Sequence, residues 1–289
     1  MSMRIDLEVS LDPTLGCGQA HRWHKLDDGS WEGVWRNQVV TMKQISPTSV
    51  EVIGTDDRKG ITRYLGGDDD LETIISEISK RDEYVASLTD RCPGMRILRQ
   101  DHWECLATYL LATNANVKRI GQMVESVCDH FGDDLGRRHG FPTPKQILDG
   151  CGCIAECRLG FRESRFITLA ERVESGDIDV ESFSEMNYEE CVAALQDING
   201  IGPKVADCVA LFAFENMEAF PIDARISKVM EDIYGVTGSY KAVSAYGREK
   251  FGEYAGYAQE FLYHADFISR QARSRNPCHC SWQKCRRSA

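Results

Sequence analysis

No apolar run in the chain approaches the eighteen or so residues that a membrane span needs, which argues against a transmembrane helix. The first residues, Met-Ser-Met-Arg-Ile-Asp-Leu-Glu-Val-Ser, lack the composition of a secretory signal or an organelle transit peptide. There is no internal repeat and no low-complexity segment, so neither a solenoid nor a long disordered linker is expected. Positive charge is also short. Lys and Arg number 34 against 45 Asp and Glu, a net charge of −11, which weighs against bulk electrostatic attraction to nucleic acid. A local basic face remains compatible with that total. These absences point to an intracellular, cytoplasmic protein with no membrane partner.

What is present is a long enough chain, 289 residues, to bury a full core in one or two domains. Its 12 cysteines are numerous, yet most lie in apolar or mixed surroundings, as reduced core thiols do, rather than in a disulfide framework. Residues 1 to about 80 carry short alternating runs, such as Trp31–Trp35 and Val39–Lys43, broken by Asp27-Asp28-Gly29 and Ile45-Ser46-Pro47. Leu71–Leu88 reads as one helix. From residue 91 the pattern is helical, with candidates at Phe166–Val173, Tyr188–Asp197, Lys204–Phe214, Ala224–Tyr234, Ala242–Phe251 and Tyr257–Ala272. The expected fold is α+β: a β-rich domain over residues 1–90, antiparallel, then a mostly helical domain over 91–289.

The densest chemistry lies between Leu195 and Ile226. Gly200-Ile201-Gly202 forms a tight turn between two apolar helix-like segments, and such a turn can offer backbone N–H groups to a phosphate. Pro203 suits the first position of the next helix, and Lys204 follows in its first turn. The unpaired N–H groups there disfavour an ammonium ion, and a neutral amine can attack a sugar carbon or form a Schiff base. The bland alternative is a lysine that only touches phosphate. Cys208 stands at i+4 from Lys204, so it either shares a pocket with the lysine or belongs to the core. Asp223 reads as a helix N-cap, a position that also keeps a carboxylate ionised where cationic character develops. Gln259, Tyr263 and Asp266 line one stripe of the last helix, as an amide, an aromatic face and a carboxylate; a partly buried surface helix would look the same. Asn114, Asn116 and Arg119 follow an apolar helix, and Phe161-Arg162 sits at another loop. Cys278, His279, Cys280 and Cys285 are the best metal candidates, but the spacing is not a common structural one, and no metal is expected.

Six collinear motifs give the chain a specific resemblance: Gly18-Gln19-Ala20-His21-Arg22-Trp23; Glu104-Cys105-Leu106 with Asn114-Ala115-Asn116 and Arg119; Leu159-Gly160-Phe161-Arg162; Gly200-Ile201-Gly202-Pro203-Lys204 through Cys208; Pro221-Ile222-Asp223; and Gly256-Tyr257-Ala258-Gln259 with Tyr263 and Asp266. Together they resemble the 8-oxoguanine DNA glycosylase/AP lyase family, within the helix-hairpin-helix glycosylase superfamily, over residues 6 to 271. The resemblance implies a bifunctional enzyme that flips 8-oxoguanine from duplex DNA, attacks C1′ through Lys204 and nicks the strand by β-elimination. Asp223 would be the catalytic carboxylate. The Gly18 carbonyl would accept the N7–H that guanine lacks, Gln259 would read the base edge, Cys208 and Tyr263 would sandwich the ring, and Asp266 would complete the base site. Asn114, Arg119 and Arg162 would hold the unpaired cytosine, and Phe161 would wedge into the stack. Gly200, Gly202 and Arg225 would meet the DNA backbone. No cofactor is required, apart from a monovalent cation on backbone carbonyls near Gln196, Ile198 and Ile201. The protein would act as a nucleoid-associated monomer.

Three departures stand out. Tyr263 replaces the Phe of eukaryotic members, Arg225 replaces a phosphate-contacting His, and Ala115 replaces a third Asn. The C-terminal thiols do not follow the four-cysteine iron–sulfur pattern of oxidised-pyrimidine glycosylases, and glycosylases for alkylated purines usually lack the lysine. The rival outside the enzyme class is a noncatalytic helix-hairpin-helix protein that binds damaged DNA.

Overall fold

The computed structural model describes residues 2–275, with side chains through Ala265. The thiols Cys278, Cys280 and Cys285 lie outside the described residues. Alternation of core and solvent positions builds five strands: β1 (Ser2–Asp6), β2 (His24–Lys25), β3 (Trp31–Trp35), β4 (Gln38–Ser46) and β5 (Ser49–Ile53). They form one antiparallel sheet in the order β1-β5-β4-β3-β2. Arg36 and Asn37, both at positive φ (48° and 55°), make the two-residue turn that joins β3 to β4. The Ile45-Ser46-Pro47 break falls later than expected, because β4 runs through Ser46 to pair with Ser49. Two short helices, α1 (Leu11–Gly16) and α2 (Arg58–Tyr64), interrupt the strand texture expected to residue 80. The sheet's inner face buries Trp23, Trp31, Trp35, Val40, Met42 and Val50 against Ile61 and Tyr64.

A second core starts at Leu71 and continues to Leu262. The helix expected over Leu71–Leu88 is two, α3 (Leu71–Arg81) and α4 (Glu83–Thr89). The break is Asp82, whose extended backbone (φ −157°) ends one helix while its side chain caps the next through Val85 N–H at 2.8 Å. Lys250 and Tyr234 from later helices also bind Asp82, at 2.9 and 3.0 Å. The helical body continues with α5 (His102–Leu111), α6 (Val117–Phe131), α7 (Pro144–Asp149), α8 (Glu163–Glu174), α9 (Tyr188–Gln196), α10 (Pro203–Phe212), α11 (Ala224–Tyr234), α12 (Tyr240–Phe251) and α13 (Ala255–Arg275). The Gly150-Cys151-Gly152 breaker opens a 3₁₀ segment, Cys151–Cys157. Among the described residues no helix is long and apolar enough to cross a membrane.

Residues 96–100 clamp the sheet to the helices. Gln19 donates to Thr14 O and Arg96 O (2.7 and 3.0 Å) and accepts from Leu98 N–H (2.9 Å). Its backbone carbonyl takes bonds from Gln100 (2.5 Å) and the Tyr109 hydroxyl (3.0 Å). Arg22, in the same motif, is buried and paired with Glu104 at 3.5 Å. Two of the collinear motifs thus meet as an ion pair that joins the sheet to α5, which keeps the Gly18 loop in a fixed place.

Candidate active site

One cavity of about 700 Å³ gathers Gly18, Asn114, Gly202, Lys204, Cys208, Asp223, Arg225, Gln259 and Tyr263. The sequence singled out all nine. Lys204 is the second residue of α10, behind Pro203, and Gly202 is the N-cap. Of the two hairpin glycines, only Gly200 takes a positive φ, +99°; Gly202 sits at −93°, a value open to any residue. Buried Ile198 and Ile201 anchor the hairpin in the core. Below it, buried Asp207 accepts from Tyr188 at 2.6 Å, from Ser244 at 3.3 Å and from Tyr240, so α10 is pinned to α9 and α12. Lys204 and Cys208 therefore present a fixed face to the cavity.

Lys204 Nζ lies 5.5 Å from the centroid of the Tyr109 ring, a cation–π contact. Burial pushes the Cys208 thiol up to about 11 against the opposing pull of Lys204, so it stays neutral. Asp223 caps α11 through Oδ1, which accepts from Arg225 N–H (2.9 Å) and Ile226 N–H (2.8 Å). The capping and site readings thus belong to one carboxylate. Gln259 is buried, and its Oε1 has no hydrogen-bond partner among the described residues. A buried amide oxygen left unpaired fits a site whose missing partner is a ligand. Tyr263 receives a bond from Arg225 Nη1 at 3.0 Å, and the guanidinium lies 5.4 Å from its ring centroid. The tyrosine hydroxyl thus orients Arg225 in a way phenylalanine could not. Gly18 has φ +99°, a conformation L side chains rarely adopt, although a Cβ there would meet only ordinary contacts with Val117 (3.6 Å) and Tyr263 (3.9 Å). Conformation, not space, demands glycine.

Asn116 joins Asn114 in the cavity lining, whereas Phe161, Arg119 and Arg162 lie outside it. Phe161 is 54 % exposed, with Arg162 and Arg165 guanidinium carbons 4.3 and 5.7 Å from its ring centroid. Arg119 donates to Arg158 O beside them. Arg162 departs from the expected open cation: it is buried and donates to Thr113 O through Nε and Nη2 (3.0 and 2.5 Å). Asn114 takes φ +53° in the turn after α5, and Asn116 caps α6 through Arg119 N–H at 2.9 Å. Asp266 belongs to α13, but its side chain lies outside the described ones. Cys151 and Cys153 are exposed while Cys157 is buried and points to Ser126 O at 3.6 Å, so this thiol group does not converge.

Four further groups escaped sequence reasoning. Cys17, His21, Tyr109 and Glu260 line the same cavity. His21 lies 5.9 Å from the Tyr109 ring, and burial, then the Lys204 charge, lowers it to about 4, so it stays neutral. Arg165 was also missed; an ideal Cβ on Gly200 would fall 2.7 Å from its Cδ, so the arginine stem rests on the hairpin and joins it to Phe161.

Comparison with known proteins agrees with this geometry. The family described as 8-oxoguanine DNA glycosylase, N-terminal domain, matches residues 2–106. The N-glycosylase/DNA lyase OGG1 of Arabidopsis thaliana is 30% identical over 295 residues, covering 90% of this chain and 78% of the relative. The N-glycosylase/DNA lyase of Saccharomyces cerevisiae is 25% identical, covering 89% and 83%. The structure of the Clostridium acetobutylicum 8-oxoguanine glycosylase/lyase, solved with duplex DNA containing cytosine opposite 8-oxoguanine, superposes with a TM-score of 0.86 at 28% identity, over 93% of this chain and 98% of that one. With a relative 30% identical over 90% of this chain and 78% of its own length, the chain belongs to the 8-oxoguanine DNA glycosylase/lyase family.

Proposed function

We propose that the protein flips 8-oxoguanine out of duplex DNA, excises it through Lys204 and then cleaves the strand. The observation that carries this reading is the convergence of Lys204, Cys208, Asp223, Gln259, Tyr263 and Gly18 on one cavity, from segments far apart in sequence. Lys204 attacks C1′ as the purine leaves, and the C1′ cation character is stabilised by the Asp223 carboxylate. The ring slides between the Cys208 thiol and the Tyr263 ring, where the unpaired Gln259 oxygen takes a base-edge donor. The Gly18 carbonyl accepts N7–H. The Schiff base that follows on Lys204 acidifies the neighbouring carbon, and β-elimination nicks the strand.

Outside the cavity, Phe161 fills the gap in the stack; Asn114 at the cavity lining, with Arg119 and Arg162 beyond it, faces the orphaned cytosine, Arg162 after releasing Thr113. Arg225 and the N–H groups at Gly200 and Gly202 meet phosphates. The carbonyls of Gln196, Ile198 and Ile201 suit a monovalent cation linking hairpin to phosphate; that of Ile198 accepts Ile201 N–H at 3.0 Å and keeps a second lone pair. The chain acts on DNA as a monomer in the nucleoid.

Borohydride reduction during turnover tests the reading. A duplex panel carrying 8-oxoguanine, thymine glycol, an alkylated purine or an abasic site should yield a covalent adduct foremost with 8-oxoguanine and with the abasic site. Lys204→Gln should abolish the adduct while duplex binding stays within a few-fold. Trapping that persists in the variant moves the nucleophile elsewhere, and binding without trapping in the wild type leaves only a damaged-DNA binding protein.

A further inference from the structure

Glu260 is the carboxyl lining the cavity that the excision scheme leaves idle. It follows Gln259 on α13, yet it is 5 % exposed and lines the cavity with Lys204 and Asp223. One carboxyl oxygen, Oε2, has no hydrogen-bond partner among the described residues. The single proton of the Cys17 thiol serves either this carboxyl or Thr14 O (3.7 Å), and burial keeps it on the sulfur. A carboxylate in such a place is costly unless it takes part in something.

We propose that Glu260 is the proton acceptor of Lys204, taking the ammonium proton before the amine attacks C1′ and returning it to the departing base. The inference rests on Lys204 being the nucleophile. The step balances. Lys204 Nζ passes one proton to the Glu260 carboxylate, leaving a neutral amine and a carboxylic acid. The amine lone pair forms the Nζ–C1′ bond as the C1′–N9 bond breaks, and that electron pair leaves with the purine. The carboxylic acid protonates the purine anion, and the enzyme is left with a secondary ammonium and Glu260 as a carboxylate. Asp223 is poorly suited to the same task, because its Oδ1 is already committed to the N-cap bonds from Arg225 and Ile226 N–H.

The electrostatics agree with that division of labour. Burial raises Glu260 to about 7; the Cys17 bond opposes the rise, Asp223 adds to it, and Lys204 opposes it. From the other elements around the site, the Tyr109 and Tyr263 hydroxyls and the Cys208 thiol are all held protonated by burial, and His21 is held neutral. Among these groups Glu260 is therefore the one whose charge changes near neutral pH. Proton exchange is most efficient when the acceptor titrates close to the working pH. Glu260 thus acts as a general base toward Lys204 and a general acid toward the purine, not as a nucleophile.

The test is a single-turnover pH profile of 8-oxoguanine excision by the wild type, E260Q, E260D and K204Q. The wild-type rate should rise with pH and level off near the Glu260 midpoint of about 7. E260Q should bind duplex normally but excise on the order of 100-fold more slowly at neutral pH, since proton transfer contributes roughly 10²–10⁴-fold. Its profile should lack the levelling limb near pH 7. E260D, one methylene shorter, should keep a levelling limb at a reduced rate. A wild-type-shaped profile for E260Q, a wild-type rate for E260D, or a wild type with no limb between about pH 5.5 and 8.5 overturns the proposal. Silent K204Q beside a wild-type-shaped E260Q overturns it alone. A trapped adduct in K204Q overturns the nucleophile assignment instead.

Discussion

At the scale of single residues, the proposed mechanism gives the Asp223 carboxylate a second task beside capping, and the two can be separated. Its Oδ1 holds the first turn of α11 through two backbone bonds, and asparagine presents the same oxygen without the charge. Asp223→Asn should therefore leave the thermal midpoint nearly unchanged, within about 1 kcal/mol, while excision falls about 10²- to 10³-fold, the range for losing one preorganised electrostatic stabiliser. Single-turnover kinetics beside a thermal melt decide it: normal turnover would reduce Asp223 to a cap. Pairs such as Lys204 with Cys208 and Gln259 with Tyr263 were legible in the sequence because i, i+4 spacing fixes a shared helix face. Glu260 was not. A glutamate on a helix usually faces solvent, and only the folded chain shows this one buried, with Cys17 and Asp223 from distant segments beside its carboxyl.

At the scale of elements, hydrophobic period located most helices, while side-chain capping decided where they end. Asp82 divides α3 from α4 because its carboxylate serves Val85, Tyr234 and Lys250 together, and two of those partners come from elements far along the chain. The loop that carries Gly18 makes the functional case. Its shape is imposed from outside, by Gln100 and Tyr109 bonds to the next carbonyl, and the glycine adopts φ +99° to comply. Alanine fits the space but strains the backbone by roughly 1–2 kcal/mol, and the strain turns the Gly18 carbonyl away from N7–H. Gly18→Ala should lower 8-oxoguanine excision by about 10- to 100-fold, as expected when a buried hydrogen bond is lost. Cleavage at a preformed abasic site, which uses Lys204 without the base pocket, should change little. If both rates drop together, the glycine supports the fold and recognition rests on Gln259, Cys208 and Tyr263.

At the scale of the whole molecule, a net charge of −11 and a DNA substrate are reconciled by placement. Arg162 and Arg165 flank exposed Phe161, beside the hairpin that ends at Lys204, and Arg119 and Arg158 meet nearby through a backbone bond. Composition hid this, since it sums over the whole chain, and Arg165 was invisible because nothing in its local sequence shows that its stem rests on Gly200. The placement has a measurable consequence. Duplex affinity should fall steeply with salt despite the unfavourable total charge, because local phosphate contacts release counterions. Arg165→Ala should flatten the slope of log affinity against log salt by about 0.9, the value of one phosphate contact on duplex DNA. It should weaken 8-oxoguanine and undamaged duplexes by the same factor, since a phosphate contact carries no base information. Binding titrations at several salt concentrations read both. An unchanged slope would mean that Arg165 serves only as a brace between Phe161 and the hairpin, and a loss confined to 8-oxoguanine duplex would place it in lesion recognition instead.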